Sequence, residues 1–272
     1  MKIAKYFLCL ALLLVAISAE AQQLRKEAFD LLNLDYPGLE KVKAAGAQQQ
    51  WDKAAQALLD YYRQRTGIGH PDINLKNIKI SKEEQKWADD ALEHTFFVHK
   101  GYQPSYNYGK DINWQYWPVQ DQTLQFLLFI PSQAFTPEFL TEFLINYHRH
   151  ALHILGNYSD QGNHLLFEAQ RMVYAGAFFP EFKEATGWRE SGISILNREI
   201  KKQVYPDGGQ YELDPHYHLA AINIFCKALR MADVNGFRQE FPVEYVNTVN
   251  NMIEFYSNIC FPDYSNPCFS DA

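Results

Sequence analysis

The sequence predicts an all-α chain of long antiparallel helices joined by short turns, either a helical bundle or an α/α toroid. Three observations predict it. Apolar residues recur at helical spacing through most of the 272 residues. No stretch alternates convincingly with period two, so no strand-rich domain is expected. Proline and glycine fall where helices would open and close.

The first 21 residues read as an address. Lys2 and Lys5 precede an almost wholly apolar run from Tyr6 to Ile17, and Ala19-Glu20-Ala21 puts small residues where a signal peptidase reads. The run is too short and wrongly flanked for a membrane anchor. Cys9 lies inside it, away from the cleavage end, which argues against a lipoprotein. Cleavage after Ala21 leaves one helical domain over 22–272, periplasmic or secreted, and no later segment is apolar for long enough to span a bilayer.

The helices then follow in order. Leu24 to Leu34 is short and amphipathic, ending before Pro37. Trp51 to Arg65 places Ala54, Ala55, Leu58, Leu59 and Tyr62 on one face. Ser81, with Glu84 three residues on, forms a capping box for a helix to about His94. From Thr95 to Val119 the periodicity stops, and Gly101, Pro104, Gly109 and Pro118 stand among Tyr and Trp residues. That composition suits a long ordered loop. Helices resume at about Gln122 to Ile130, Pro137 to Leu155, Asn163 to Phe178, Phe182 to Val204, Pro215 to Asp233 and Val243 to Ile259. Pro137 and Pro215 suit first helical positions, and Gly156, Gly187 and Gly236 punctuate helix ends.

Composition bounds the function. A formal net charge of −7, from 25 Lys+Arg against 32 Asp+Glu, argues against bulk nucleic-acid binding. It leaves room for a local basic cleft and a polyanionic ligand. Aromatic residues reach 15%, which fits a sugar-binding groove and an aromatic core equally well. Cys226, Cys260 and Cys268 follow the leader, an odd number. Cys260 and Cys268 are close enough in sequence to pair, and Cys226 suits a core. No C-x-x-C pair, H-E-x-x-H, G-x-S-x-G, P-loop or dinucleotide fingerprint occurs, so no metal or cofactor is expected. His148, His150 and His153 on one helix, with His216 and His218 on another, lack a carboxylate at a matching step.

Two stretches carry candidate chemistry. Gly162-Asn163-His164-Leu165-Leu166-Phe167-Glu168 opens a helix, with Asn163 suited to the N-cap and Glu168 one turn beyond His164 on the same face. Asp207-Gly208-Gly209-Gln210-Tyr211-Glu212-Leu213-Asp214-Pro215-His216-Tyr217-His218 joins a double glycine to a helix start carrying Tyr217. A capped helix with a solvated His–Glu pair, and a turn with a packed Tyr, explain them structurally.

Together these stretches resemble the heparinase II/III family of polysaccharide lyases, in particular its heparan-sulfate lyases. In that family an N-H-x-x-x-E-like helix start supplies an Asn, and a D-G-rich E-x-D/S-x-x-Y-H loop supplies a Tyr. Here Asn163 and Tyr217 are 54 residues apart, and Glu212, Tyr217 and His218 match the loop. Ile112-Asn113-Trp114-Gln115-Tyr116-Trp117-Pro118-Val119 is also similar to the family's N-terminal portion. The chain departs from the family in two ways. Val119-Gln120-Asp121 runs almost at once into the later helices, where family members carry more, and the chain stops before the family's C-terminal β-sandwich. The resemblance implies an incomplete α/α toroid and weakened activity.

It further implies β-elimination beside a uronic acid in an acidic polysaccharide such as heparan sulfate. Asn163 would neutralise the carboxylate and stabilise the developing enolate. Tyr217 would take the C5 proton or protonate the leaving O4. A free Tyr has a pKa of about 10, so nearby positive charge would have to lower it. His164 or His218 would supply that charge or orient the phenol, and Glu168 would orient His164. These three form the substrate-binding set. Arg171, Arg198, Lys201 and Lys202 are candidates for sulfate contacts or for a solvated face. An α/α glycoside hydrolase using two of Asp207, Glu212, Asp214 and Glu168 remains open, as does a non-catalytic glycan-binding fragment.

Overall fold

A computed structural model describes residues 22–65, 67–69, 81–83, 86, 126, 129–133 and 135–267. The leader, most of the helix after Ser81, the aromatic stretch at 112–119 and Cys268 lie outside the described residues. The architecture is helical, with no β-strand among those residues. Two isolated bridges, Leu32 to Phe182 and Val204 to Gln210, are the extended pairings.

Helix α1 covers 22–31 and buries Ala28 and Phe29. Helix α2 (Glu40–Ala47) was not expected from sequence. It is short, and Val42 is its one buried residue, so its pattern is weak. Helix α3 (Trp51–Gln64) buries Ala54, Ala55, Leu58, Leu59 and Tyr62, the face its spacing predicts. Helix α4 (Pro137–Gly156) starts on Thr136, whose hydroxyl accepts from the Phe139 N–H, with Pro137 at the first position. Helix α5 (Gly162–Phe178) is buried along most of its length and is the central helix. Helix α6 (Ala185–Gln203), α7 (Pro215–Asn235), a 3₁₀ turn (Arg238–Glu240) and α8 (Val243–Ile259) complete the described order. Gly236 closes α7 at φ +79°, a left-handed cap suited to glycine. Gly187, expected at a helix end, lies in the first turn of α6, which starts at Ala185 and not at Phe182.

Two glycines let α5 and α6 approach closely. A Cβ on Gly176 would stand 2.1 Å from the Ala185 carbonyl oxygen, and one on Gly192 2.3 Å from that of Ala169. Helix α5 packs on α7 as well as α6, which makes it the hub of the C-terminal half.

The aromatic surplus is largely core. Phe126, Phe135, Phe143, Tyr147, Phe178, Phe179 and Phe182 are all buried. Their rings meet mainly edge to face, as in Phe126–Phe179 (5.0 Å) and Phe178–Phe179 (4.9 Å). Beside this cluster the fully buried Glu181 accepts from Arg65 at 3.1 Å and from the Tyr61 hydroxyl at 2.6 Å. The Arg65 guanidinium also lies over the Tyr62, Phe178 and Phe179 rings.

Candidate active site

Helix α5 begins without a cap of its own. Its N-cap residue is Gln161, whose side chain makes no capping bond, so Asn163 is the second helical residue and not the N-cap. The orphan N–H groups of the first turn are met from elsewhere. The Tyr211 hydroxyl and the Glu212 carboxylate face the Gly162 and Asn163 N–H groups. A Cβ on Gly162 would stand 3.7 Å from the Tyr211 hydroxyl and 3.8 Å from Glu212 Oε1. Because the cap comes from this distant loop, the Asn163 side-chain amide is not used as one. It is half-buried and has no hydrogen-bond partner among the described residues.

The loop that reaches across is built by its own backbone bonds. Asp207 Oδ1 accepts from the Gly209 N–H at 3.0 Å, Tyr205 N–H donates to the Gly209 carbonyl at 2.8 Å, and Tyr211 N–H to the Gln203 carbonyl at 2.8 Å. Gly208 sits at φ +93° with its α-carbon pressed on α8 at Asn251. Leu213 also has a positive φ, +56°, and is 63% exposed, a strained position for a bulky residue. Asp214 then caps α7, its Oδ1 accepting from the His216 N–H at 2.7 Å and the Tyr217 N–H at 3.1 Å. Tyr217 is thereby fixed at the third helical position, half-buried, its hydroxyl without a hydrogen-bond partner among the described residues.

Asn163 and Tyr217 share one end of the fold. The start of α5 touches the segment leading into α7, and further along the Gln170 amide donates to the Ile224 carbonyl at 2.9 Å. Residue numbers rise together at both contacts, so the two helices run parallel. Asn163 lies seven residues before Gln170, and Tyr217 seven before Ile224. Seven residues are close to two turns, so each lies on the same face as its bonded counterpart and about 10 Å nearer the helix starts. Asn163 and Tyr217 therefore lie near the same end of two packed helices.

The other expected site residues behave differently. Glu168 is 0% exposed, and its carboxylate accepts from the Ser159 N–H at 2.6 Å and the Ser159 hydroxyl at 2.8 Å, so it anchors the turn before α5. His164 is half-buried at the helix start, where its charge acts on Glu212. His218 is 2% exposed. Its Nδ1 accepts from the Gln210 N–H at 3.1 Å and its Nε2 donates to the Met252 carbonyl at 2.9 Å. That ring is held neutral, because a proton on Nδ1 would break the Gln210 bond. Arg171, a candidate sulfate contact, is buried against the Phe167 and Tyr174 rings. Arg198 and Lys202 are exposed at the site end of α6 and both bond Glu199, which in turn accepts from Gln203 at 3.1 Å. Lys201 is exposed beside them. Sequence reasoning missed Ser159, Gln210 and Tyr211. The signal for Tyr211 was the lack of any capping side chain at Gln161.

Burial sets the protonation of this neighbourhood. Burial, with the Glu168 charge adding and a bond to Ser191 opposing, pushes the Tyr158 phenol up to about 12. Burial and the Glu212 and Glu199 charges raise Tyr211. Neither phenol is disposed to act as a base near neutrality. Burial also lowers His218 from its ordinary 6.5, partly offset by the Met252 carbonyl, and lowers His148 despite Glu184. The unfolded chain thus takes up these protons first as pH falls. Stability against denaturant is expected to be level above about pH 7 and to decline from about 6.5 downward. His218→Gln should remove part of that decline, with His148 keeping the rest. A variant slope equal to the wild type's would exclude His218 from it.

One hollow adjoins these residues and another lies away from them. A small one of about 170 Å³, lined by Leu213, Asp214, Pro215, His218 and Phe255, adjoins the Tyr217 helix start. A larger cleft of about 550 Å³, lined by Tyr36, Tyr61, Gln64 and Arg65, lies at the opposite end of α5, near Glu181. Among the described residues no group of three His, Cys, Asp or Glu side chains is placed to hold a metal, and no helix is long and apolar enough to cross a membrane. Cys226 and Cys260 are free thiols.

Known proteins resemble this chain in sequence and fold. A family model described as Heparinase II/III N-terminus matches residues 28–126 and 119–272. The chain is 54% identical over 354 positions to a heparin-sulfate lyase of Bacteroides stercoris, covering 100% of this chain and 53% of the relative. It is 40% identical to a heparin-sulfate lyase of Pedobacter heparinus, covering 94% and 50%. A solved heparinase III structure superposes with a TM-score of 0.71 at 54% identity, over 90% of this chain and 50% of that one. The chain spans about half the length of the relatives it matches. The first alignment also runs over 354 positions against 272 residues here, and the two pieces of the family match meet at 119–126. In the sequence that junction holds Val119-Gln120-Asp121.

Proposed function

The chain belongs to the heparinase II/III family, and from that premise we propose that it binds a heparan sulfate-type polysaccharide and cleaves it by β-elimination at a uronic acid. What supports the proposal is that the Asn163 amide and the Tyr217 phenol, each without a hydrogen-bond partner among the described residues, lie near the starts of two packed helices.

Elimination breaks the C5–H and C4–O4 bonds and forms a C4=C5 double bond. The proton leaves C5 to a base, and O4 departs carrying a proton. The uronate carboxylate makes C5 a poor acid until its charge is neutralised. The Asn163 amide donates to that carboxylate and supports the charge that spreads onto it. Tyr217, as phenolate, accepts the C5 proton and returns it to O4. His218 cannot supply the positive charge the phenolate needs, since both ring nitrogens are engaged. His164 remains at the α5 start, and the His216 ring stands 6.1 Å from that of Tyr217. Arg198, Lys201 and Lys202 are exposed at the end of α6, where Gln203 bonds the Gly162 carbonyl, and suit sulfate groups.

The hydrolase alternative loses support from the same geometry. Of its four carboxylates, Glu168 is fully buried on Ser159 and Asp214 caps α7. The direct test follows ultraviolet absorbance with heparan sulfate, heparin and alginate in parallel. Elimination leaves an unsaturated sugar that absorbs, and absorbance should grow with heparan sulfate. Binding without absorbance would favour a non-catalytic glycan-binding protein. Shortened sugars without absorbance would favour hydrolysis.

We also propose that the protein acts outside the cytoplasm, on the strength of Lys2, Lys5, the apolar run and Ala19-Glu20-Ala21. The mass of the product recovered from periplasm or medium should correspond to a chain beginning at Gln22. A product that retains Met1 would count against export.

A further inference from the structure

We propose that Glu212 is a positioning residue for this reaction: its carboxylate, set against the first turn of α5 with Oε1 3.8 Å from a Cβ position on Gly162, holds the start of that helix in place relative to the Tyr217 loop. The inference rests on the proposed elimination and adds a residue to it.

Three observations lead to Glu212. Helix α5 has no local cap, so its start is located by whatever meets its orphan N–H groups. Those partners are the adjacent residues Tyr211 and Glu212, on the loop that ends at Tyr217. That loop is otherwise tied to the rest of the fold at α6 through Tyr211 N–H to the Gln203 carbonyl, and at α8 through His218 to the Met252 carbonyl. Glu212 is thus the carboxylate at the point where the two halves of the site join. Its N–H donates in turn to Gln210 Oε1 at 2.9 Å, which limits its own movement.

The chemistry favours this use over direct contact with substrate. A carboxylate facing a uronate would repel it, whereas an anion at a helix start is stabilised by the helix dipole and the free N–H groups. Burial raises the Glu212 carboxyl, as does the Asp214 charge, while the Asn163 N–H and the His164 charge oppose the rise. The Asn163 amide direction follows from the backbone the carboxylate holds. A displacement of about 1 Å in such a group costs about 10²-fold in rate.

The test compares the chain with Glu212→Ala and Glu212→Gln. Glutamine keeps an acceptor oxygen for the Asn163 N–H, and alanine does not. Elimination of heparan sulfate should fall about 10²-fold in Glu212→Ala, in kcat more than in KM, and recover to within several-fold in Glu212→Gln. In amide proton spectra the Asn163 resonance should follow an acid titration that Glu212→Gln removes, and Asn163 should become mobile only in Glu212→Ala. An alanine variant with unchanged kcat overturns the proposal, and so do alanine and glutamine variants that fall equally. If Glu212→Ala fails to fold, the titration and the glutamine rate decide. If the unaltered chain makes no unsaturated product, the elimination reading fails by itself. The Asn163 titration and mobility then judge Glu212: an Asn163 resonance indifferent to residue 212 overturns the positioning role.

Discussion

Tyr217→Phe is expected to abolish elimination while leaving heparan sulfate binding nearly unchanged. The substitution removes one hydroxyl, and that hydroxyl has no hydrogen-bond partner among the described residues. No packing is lost, because the ring and its edge contact with His216 remain. The cap is kept too, since Asp214 bonds the backbone N–H of residue 217 and not its side chain. What disappears is the group that accepts and returns the proton. General acid–base groups contribute about 10²–10⁴-fold, or about 3–5 kcal/mol of barrier. The measurement is initial absorbance growth at high protein concentration, beside oligosaccharide titration and thermal melting of both proteins. Equal melting, equal binding and lost turnover is the expected pattern. Turnover that survives the change removes Tyr217 from its role. Asn163→Ala should also slow the reaction, because the uronate carboxylate would lose its donor.

Much of this site was legible because its local signals and its fold agree. Pro215 as the first residue of α7, with Asp214 before it, is a helix start that any reading of the chain finds, and Tyr217 follows from it. The apolar face of α3 is equally plain. What stayed hidden depended on contacts between distant residues. Asn163 reads as an N-cap by residue type, but Glu212 and Tyr211 supply the cap from another loop, which shifts Asn163 into the helix and frees its side chain. His218 and Glu168 read as exposed functional groups beside Tyr217 and His164. Each is buried, engaged by Gln210 and Met252 in one case and by Ser159 in the other. Helix periodicity marks which residues share a face, but not whether that face meets solvent or a neighbouring helix. Gly176 and Gly192 show the same limit. Within a helix they look like weak points, yet they are where α5 and α6 touch.

Gly208→Ala is expected to be the most damaging single-methyl change in the described site. Two costs coincide at this position. The backbone sits at φ +93°, a left-handed conformation that costs an L-residue about 1–2 kcal/mol. A Cβ there would also stand 2.3 Å from the Asn251 carbonyl oxygen and 2.5 Å from its carbon. Both obstacles are backbone atoms of α8, which cannot swing aside as a side chain would, and overpacking of this kind costs about 1–3 kcal/mol. The sum, about 2–5 kcal/mol, corresponds to a fall in melting temperature of roughly 4–20 °C for a domain of this size. The loop has a way to relieve the clash, which is to lift from α8. Lifting would break the bond from His218 to the Met252 carbonyl and carry Glu212 and Tyr217 away from α5. Activity should therefore fall further than the fraction unfolded accounts for. The comparison is Gly236→Ala, a left-handed glycine with nothing within 4 Å of its Cβ position. That change should cost only the conformational part and leave turnover per folded molecule intact. Equal losses in the two variants would mean that the contact with Asn251 does not hold the loop.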